Sequence, residues 1–214
     1  RYGLVGSEMC IRDRKKILLI ISGGIAAYKS LDLIRSLIKI QCEVKTILTK
    51  GGAEFVTPLS IASLSKNKVY SDMYSVENES EMDHISLSRW ADLILIAPAT
   101  SNIIAKMSQG ISDDLATTVV QASNKSIFVC PAMNVRMWEH ASNKQNLEKI
   151  KSYNYRIIGP FNGEMACGEY GDGRMANIEY ILKELDNFFK SKSSNKKYRA
   201  IVTAGPTQEY IDPV

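Results

Sequence analysis

Ile17-Leu18-Leu19-Ile20-Ile21 is an unbroken run of large aliphatic residues that stops at Ser22-Gly23-Gly24. A strand with no polar position on either face must be covered on both, which is the habit of parallel sheets flanked by helices. The residues after the glycines supply the cover. Ala27, Leu31, Ile34 and Ile38 fall at helical spacing, with Lys29, Arg35 and Lys39 largely off that stripe. The unit of strand, small-residue turn and helix then recurs. Residues 44–48 lead into Thr49-Lys50-Gly51-Gly52, residues 93–97 into Pro98-Ala99-Thr100-Ser101-Asn102, and residues 127–130 into Pro131-Ala132-Met133-Asn134. A short strand at 156–158 and a helix over 178–189 close the pattern.

Alternation of this kind predicts an α/β chain with a parallel sheet. Ligands of such sheets lie beyond the carboxyl ends of the strands. Ser22-Gly23-Gly24, Thr49-Lys50, Thr100-Ser101-Asn102 and Met133-Asn134 should therefore converge on one crevice. A dinucleotide site would need G-x-G-x-x-G in the first turn and an acidic residue at the end of the second strand. The turn reads Ser-Gly-Gly-Ile-Ala instead, and the second strand ends in a hydroxyl and a cation. A mononucleotide held in a flavodoxin-like, Rossmann-type three-layer fold is the better expectation, its phosphate on the helix N-terminus after Gly24.

Residues 159–177 form a second focus. Gly163, Gly168, Gly171 and Gly173 are set around one thiol, Cys167, and one guanidinium, Arg174. A long glycine-rich loop carrying reactive groups is expected to act as a lid or clamp, the alternative being a mobile surface loop with an incidental cysteine. His84 and His140 read by themselves as structural hydrogen-bonding residues, and Cys42 and Cys130 as structural positions. Asp113-Asp114 stand where an N-cap belongs, before a helix over 115–122.

Composition narrows the classes. The net charge of +4 over 214 residues is mild and its lysines gather near 190–197, which argues against a nucleic-acid footprint. No apolar run approaches the roughly 20 residues a membrane span needs. Four dispersed cysteines without a Cys-x-x-Cys pair, and only two histidines, argue against a zinc site or a disulfide framework and fit a reducing cytoplasm. Residues 1–14 lack an apolar core and period, so they are expected to be a disordered or non-native leader. Residues 191–198 read as a polar linker, and residues 199–214 as the truncated opening of another domain whose activity this chain lacks.

Five ordered segments carry a resemblance: Gly24-Ile25-Ala26-Ala27-Tyr28-Lys29; Asp83-His84-Ile85 with Trp90-Ala91-Asp92; Ala97-Pro98-Ala99-Thr100-Ser101-Asn102; Pro131-Ala132-Met133-Asn134 with Met137-Trp138; and Ala166-Cys167-Gly168 with Gly173-Arg174-Met175. Residues 15–190 resemble the phosphopantothenoylcysteine decarboxylases, the FMN-dependent half of the bacterial bifunctional coenzyme A biosynthesis flavoproteins. Ala204-Gly205-Pro206-Thr207 with Ile211-Asp212-Pro213-Val214 looks like the start of the phosphopantothenate–cysteine ligase half.

The resemblance implies FMN, bound non-covalently at Ser22, Gly23, Gly24, Ile25 and Ala26, with Thr49, Phe55, Thr100, Ser101 and Asn102. It implies decarboxylation of 4'-phospho-N-pantothenoylcysteine to 4'-phosphopantetheine by a homotrimer or an assembly of trimers with sites between subunits. His84 would be the base or orienting group, Asn134 would hold the substrate carboxylate and Cys167 would donate a proton. Met133, Ala166, Gly168, Arg174 and Met175 would complete the substrate site. Two positions depart from the family's usual pattern, Ser101 for a small alanine and Ile103 for a threonine. Two rivals stand beside this expectation: a decarboxylase of peptides ending in cysteine, as in lantibiotic maturation, and a non-catalytic regulatory binding protein.

Overall fold

The computed structural model describes residues 14–73 and 83–194. The expected leader up to residue 13, most of the expected linker and the expected opening of another domain at 199–214 lie outside them. Strand β1 (Lys16–Ile21) passes through a 3-10 turn (Ile25–Tyr28) into helix α1 (Lys29–Lys39). Strand β2 (Glu43–Leu48), helices α2 (Lys50–Ala53) and α3 (Pro58–Ser65) and a two-residue strand β3 (Val69–Tyr70) follow. Helix α4 (Asp83–Trp90) precedes strand β4 (Leu93–Ala99), and helices α5 (Ser101–Gln109) and α6 (Leu115–Gln121) precede strand β5 (Ser126–Pro131). Helices α7 (Val135–Glu139) and α8 (Ala141–Ser152) lead to strand β6 (Arg156–Ile157). A hairpin of β7 (Phe161–Glu164) and β8 (Tyr170–Arg174) ends in helix α9 (Ile178–Ser194).

All pairings in the main sheet are parallel, in the order β3-β2-β1-β4-β5-β6. Leaving aside the two-residue edge strand β3, this is the flavodoxin order, so the three-layer α/β fold matches expectation. The strand faces divide the core. Ile17, Leu19, Ile21, Leu93 and Leu95 pack with α1, α3 and α9, whereas Leu18, Ile20, Ile94 and Ile96 pack with α5, α6 and α8. Every residue from Ile17 to Ile21 has no accessible surface, and each such side chain contributes about 1.5–3 kcal/mol of burial. The chain leaves β1 for its two neighbours in opposite directions, so a crevice opens beyond the carboxyl ends of β1 and β4.

Three details differ from the sequence reading. The glycine-rich loop is an ordered antiparallel hairpin, because Asn162 pairs with Asp172 and Gly163 with Gly171. Thr100 caps a helix that begins at Ser101, where the sequence suggested only a polar loop. Helix α9 continues to Ser194, into the segment expected to be a linker. Asp114 does cap α6, accepting from the Thr117 N–H at 2.8 Å.

Candidate active site

Ser22 ties the two strand ends at the switch point. Its hydroxyl donates to the Pro98 carbonyl at 2.7 Å and accepts from the Thr100 N–H at 3.1 Å. Ser30, in the first turn of α1, donates to the Ala97 carbonyl at 2.7 Å and is fully buried. Thr49 donates to the Ile21 carbonyl and accepts from the Gly52 N–H, and Thr100 accepts from the Ile103 N–H. The hydroxyls that the sequence offers to a phosphate therefore hold the rim of the crevice together. What faces outward is backbone. Gly24 has φ 100°, a conformation that L side chains rarely adopt, and it opens the 3-10 turn so that the first N–H groups of Ile25 and Ala26 have no helical acceptor. Ser101 and Asn102 begin α5 in the same way, half-buried and exposed respectively. Exposed Ile25 and Phe55 stand at the mouth, apolar surface suited to a planar ring. Donor amides beside exposed apolar side chains fit a flavin mononucleotide.

Asn134 opens the β5 rim. Its Oδ1 accepts from the Met137 N–H at 2.8 Å, which leaves the exposed side-chain NH2 to donate outward. Met133 beside it is half-buried, and its N–H donates to the Gly173 carbonyl at 3.0 Å. Gly173 has φ 144°, and a Cβ there would collide with the Met133 carbonyl oxygen. Val135 lies against Gly171 in the same way, its Cγ2 3.0 Å from where a Cβ would be. The hairpin is thus seated on the Asn134 loop. Its tip, Met165 to Glu169, is closed by the Met165 N–H donating to Glu169 and the Gly168 N–H donating to Met165. Ala166, Cys167 and Gly168 are all exposed there, and the Cys167 thiol lies 3.8 Å from the Glu169 carboxylate.

Helix α4 is joined to β4 by Ala91 and Asp92 alone, so its first turn, with half-buried His84, lies towards the carboxyl end of the sheet. Among the described residues, neither His84 nor Cys167 hydrogen-bonds to Asn134. Arg174 ends β8, its Nη2 donating to Asn177 at 3.2 Å. Met175 is turned into the core beneath it, 1% exposed, so its side chain supports the site and does not face a ligand. Lys29, which the resemblance offered with Arg174 as a grip for phosphate, begins α1. It is half-buried, and burial together with the nearby Arg174 charge holds its ammonium below the usual lysine range. His140 caps α8 and Cys130 is buried in β5, where burial pushes its thiol far up, out of reactive range.

A backbone-lined crevice at a switch point and a cysteine hairpin seated on its rim agree with what related chains are. The Flavoprotein family model matches residues 7–190. The chain belongs to this family. The coenzyme A biosynthesis bifunctional protein of Haemophilus influenzae is 44% identical over 200 residues, which cover 94% of this chain and 50% of that protein. The chain thus spans about half the length of the curated relatives it matches. A cysteine-to-serine variant of a PPC decarboxylase, solved with pantothenoylaminoethenethiol, superposes with a TM-score of 0.75 at 30% identity, covering 83% of this flavoprotein and 99% of that chain. The FMN-binding protein AtHal3 gives 0.72 at 31% identity, covering 83% and 98%.

Proposed function

We propose that this flavoprotein binds FMN non-covalently in the β1–β4 crevice and decarboxylates 4'-phospho-N-pantothenoylcysteine to 4'-phosphopantetheine in coenzyme A biosynthesis. The observation that carries the reading is the Met133–Gly173 junction, which seats a cysteine-bearing hairpin directly on the Asn134 loop at the rim of the crevice. Identity to coenzyme A biosynthesis proteins along 94% of the chain supports the pantothenoyl substrate over a peptide.

The chemistry explains the groups. A carboxylate on a saturated carbon has no electron sink, so the cysteine CH2–SH must first become a thioaldehyde. When bound, FMN supplies the two-electron acceptor for that oxidation and the donor for the closing reduction. The residues of this chain orient and move protons. Gly23, Gly24, Ile25 and Ala26 offer backbone to the cofactor, with Ser101 and Asn102 across the crevice. Ser22, Thr49 and Thr100 fix that geometry, and Phe55 covers the ring. The side-chain NH2 of Asn134 holds the substrate carboxylate beside Met133. His84 takes or orients the thiol proton at the oxidative stage. Ala166, Cys167 and Gly168 close over the substrate to exclude water. After CO2 departs, the Cys167 thiol delivers a proton to the carbon that lost it, and Arg174 meets an anionic end of the substrate.

The resemblance to the decarboxylases further supports a homotrimer or a larger assembly of trimers as the active form, with sites completed between copies in the cytoplasm. Sedimentation of the flavin-loaded protein tests this, a monomer with full activity overturning it. The reaction is tested by anaerobic addition of 4'-phospho-N-pantothenoylcysteine to the FMN-loaded chain. Flavin bands with CO2 release are expected. CO2 from a peptide ending in cysteine, with the pantothenoyl compound untouched, would move the assignment to peptide substrates. A protein that stays colourless after incubation with FMN would overturn it.

A further inference from the structure

We infer that Asn143 is a positioning residue, which fixes through helix α7 the direction in which the Asn134 side chain faces the substrate. This inference rests on the proposed function for the role of Asn134. Helix α7 carries Asn134 as its N-cap, yet it is five residues long and buries none of them. A single turn without a buried face does not hold itself in place. Asn134 closes the turn from its start: its Oδ1 accepts from the Met137 N–H at 2.8 Å, and its carbonyl accepts from the Trp138 N–H at 2.9 Å. Those bonds tie the turn to Asn134, but not to the body of the molecule. On the hairpin side Val135 rests against Gly171. On the other side the tie is Asn143.

Asn143 stands in the first turn of α8 and is 1% exposed, between Ser142 and Lys144, which are both exposed. Its Nδ2 donates to the Trp138 carbonyl at 3.5 Å, at the C-terminal end of α7. The chain turns between the two helices at His140, whose backbone is extended, so this side chain spans the corner. Its Oδ1 is buried and has no donor among the described residues. Turning the amide over would set that oxygen against the Trp138 carbonyl oxygen, so the bond fixes which way the amide points. A buried amide with an unsatisfied oxygen costs stability that an apolar side chain of the same shape would not. What the asparagine contributes is therefore the donor it aims at α7. Trp138 is half-buried against the α5, α6 and α8 side of the core. With its carbonyl released, α7 can turn about Trp138, and the Asn134 NH2 at the far end of the turn moves with it.

Asn143→Leu removes the donor and the unsatisfied oxygen together at similar volume, so the FMN-loaded variant should melt no lower than the wild type. Hydrogen–deuterium exchange needs no turnover. It should show residues 135–138 exchanging roughly 10-fold faster in the variant, with the hairpin at 161–174 unchanged. KM for 4'-phospho-N-pantothenoylcysteine should rise roughly 10-fold, with a smaller change in kcat and none in FMN affinity. Asn143→Thr keeps a donor and should recover part of both effects. In an Asn134→Ala background, Asn143→Leu should leave KM where Asn134→Ala alone puts it, because the effect passes through Asn134. Unchanged exchange over 135–138, a wild-type KM in Asn143→Leu, or a further loss in the Asn134→Ala background would each overturn the assignment. So would a lowered Tm or weakened FMN binding, either of which marks a general packing role. Absence of CO2 release from the wild type, with exchange over 135–138 still quickened by Asn143→Leu, would instead count against the proposed reaction.

Discussion

The two sides of the crevice are built on opposite plans. Along the β1, β2 and β4 ends, the hydroxyls of Ser22, Thr49 and Thr100 all have protein partners, and the surface left for a ligand is backbone. On the hairpin the relation is reversed. Cys167 is exposed, the buried Arg174 Nε has no acceptor among the described residues, and the element is joined to the β5 rim through Gly173 and Gly171. A rim stiffened by its own hydrogen bonds fixes the position of a cofactor without needing particular side chains. A separately seated hairpin can carry the reactive groups and close once the substrate is in place. Binding and chemistry should therefore respond to different substitutions.

The sharpest separation is expected from Cys167→Ser. Flavin binding should be that of the wild type and CO2 should still be released, while formation of the reduced product falls by roughly 10³-fold for loss of the proton donor. Product analysis by mass spectrometry checks this, and normal yields of the reduced thiol would remove Cys167 from the reaction. Gly173→Ala asks whether the seat matters as much as the thiol. The new Cβ meets the Met133 carbonyl at a φ that alanine rarely adopts, so the hairpin must lift. Turnover should drop about 100-fold, as for a catalytic group misplaced by an ångström. FMN affinity should change little, and a parallel loss of FMN would show that the two halves are one unit.

The sequence disclosed these halves unequally. The rim was legible because a strand buried on both faces and ended by Ser22-Gly23-Gly24 has few topologies open to it, and strand ends in parallel sheets meet. The hairpin was not, since Gly163, Gly171 and Gly173 break the alternation by which a strand is read, and Val69–Tyr70 is too short to show a period. Helix α5 was masked by Pro98 and Thr100, which look like loop residues until Thr100 is seen capping it.

Ser22→Ala attacks the rim alone. It removes the donor to the Pro98 carbonyl and the acceptor for the Thr100 N–H in a site only 3% exposed. A loss of about 2 kcal/mol is expected from leaving buried groups unsatisfied. Chemical denaturation reads the loss, and fluorescence titration should show weaker FMN binding with the product distribution unaltered. Accumulated oxidised product in this variant would blur the division between rim and hairpin.

Asp114→Ala should have the smallest effect and serves to calibrate the others. The Asp114 carboxylate caps α6, accepting from Thr117 and from Lys106. Burial alone would raise its pKa, but the Thr117 hydrogen bonds and the Lys106 charge outweigh burial and hold it below the usual carboxylate value. A group with a depressed folded pKa stabilises the protein above its unfolded value and loses that contribution as pH falls through the folded one. At pH 7 the substitution should therefore cost about 1 kcal/mol, the usual cost of losing an N-cap. Below about pH 4 the difference from wild type should shrink as the native carboxyl protonates. Asp114→Asn keeps a capping oxygen, so its stability should stay nearer wild type, with the acid sensitivity of this position gone. Denaturation curves from pH 7 down to pH 3 check both. FMN affinity should be unchanged throughout. If Asp114→Ala weakened FMN as much as Ser22→Ala does, rim effects would be reporting global stability, and the distinction between a binding rim and a reacting hairpin would fail.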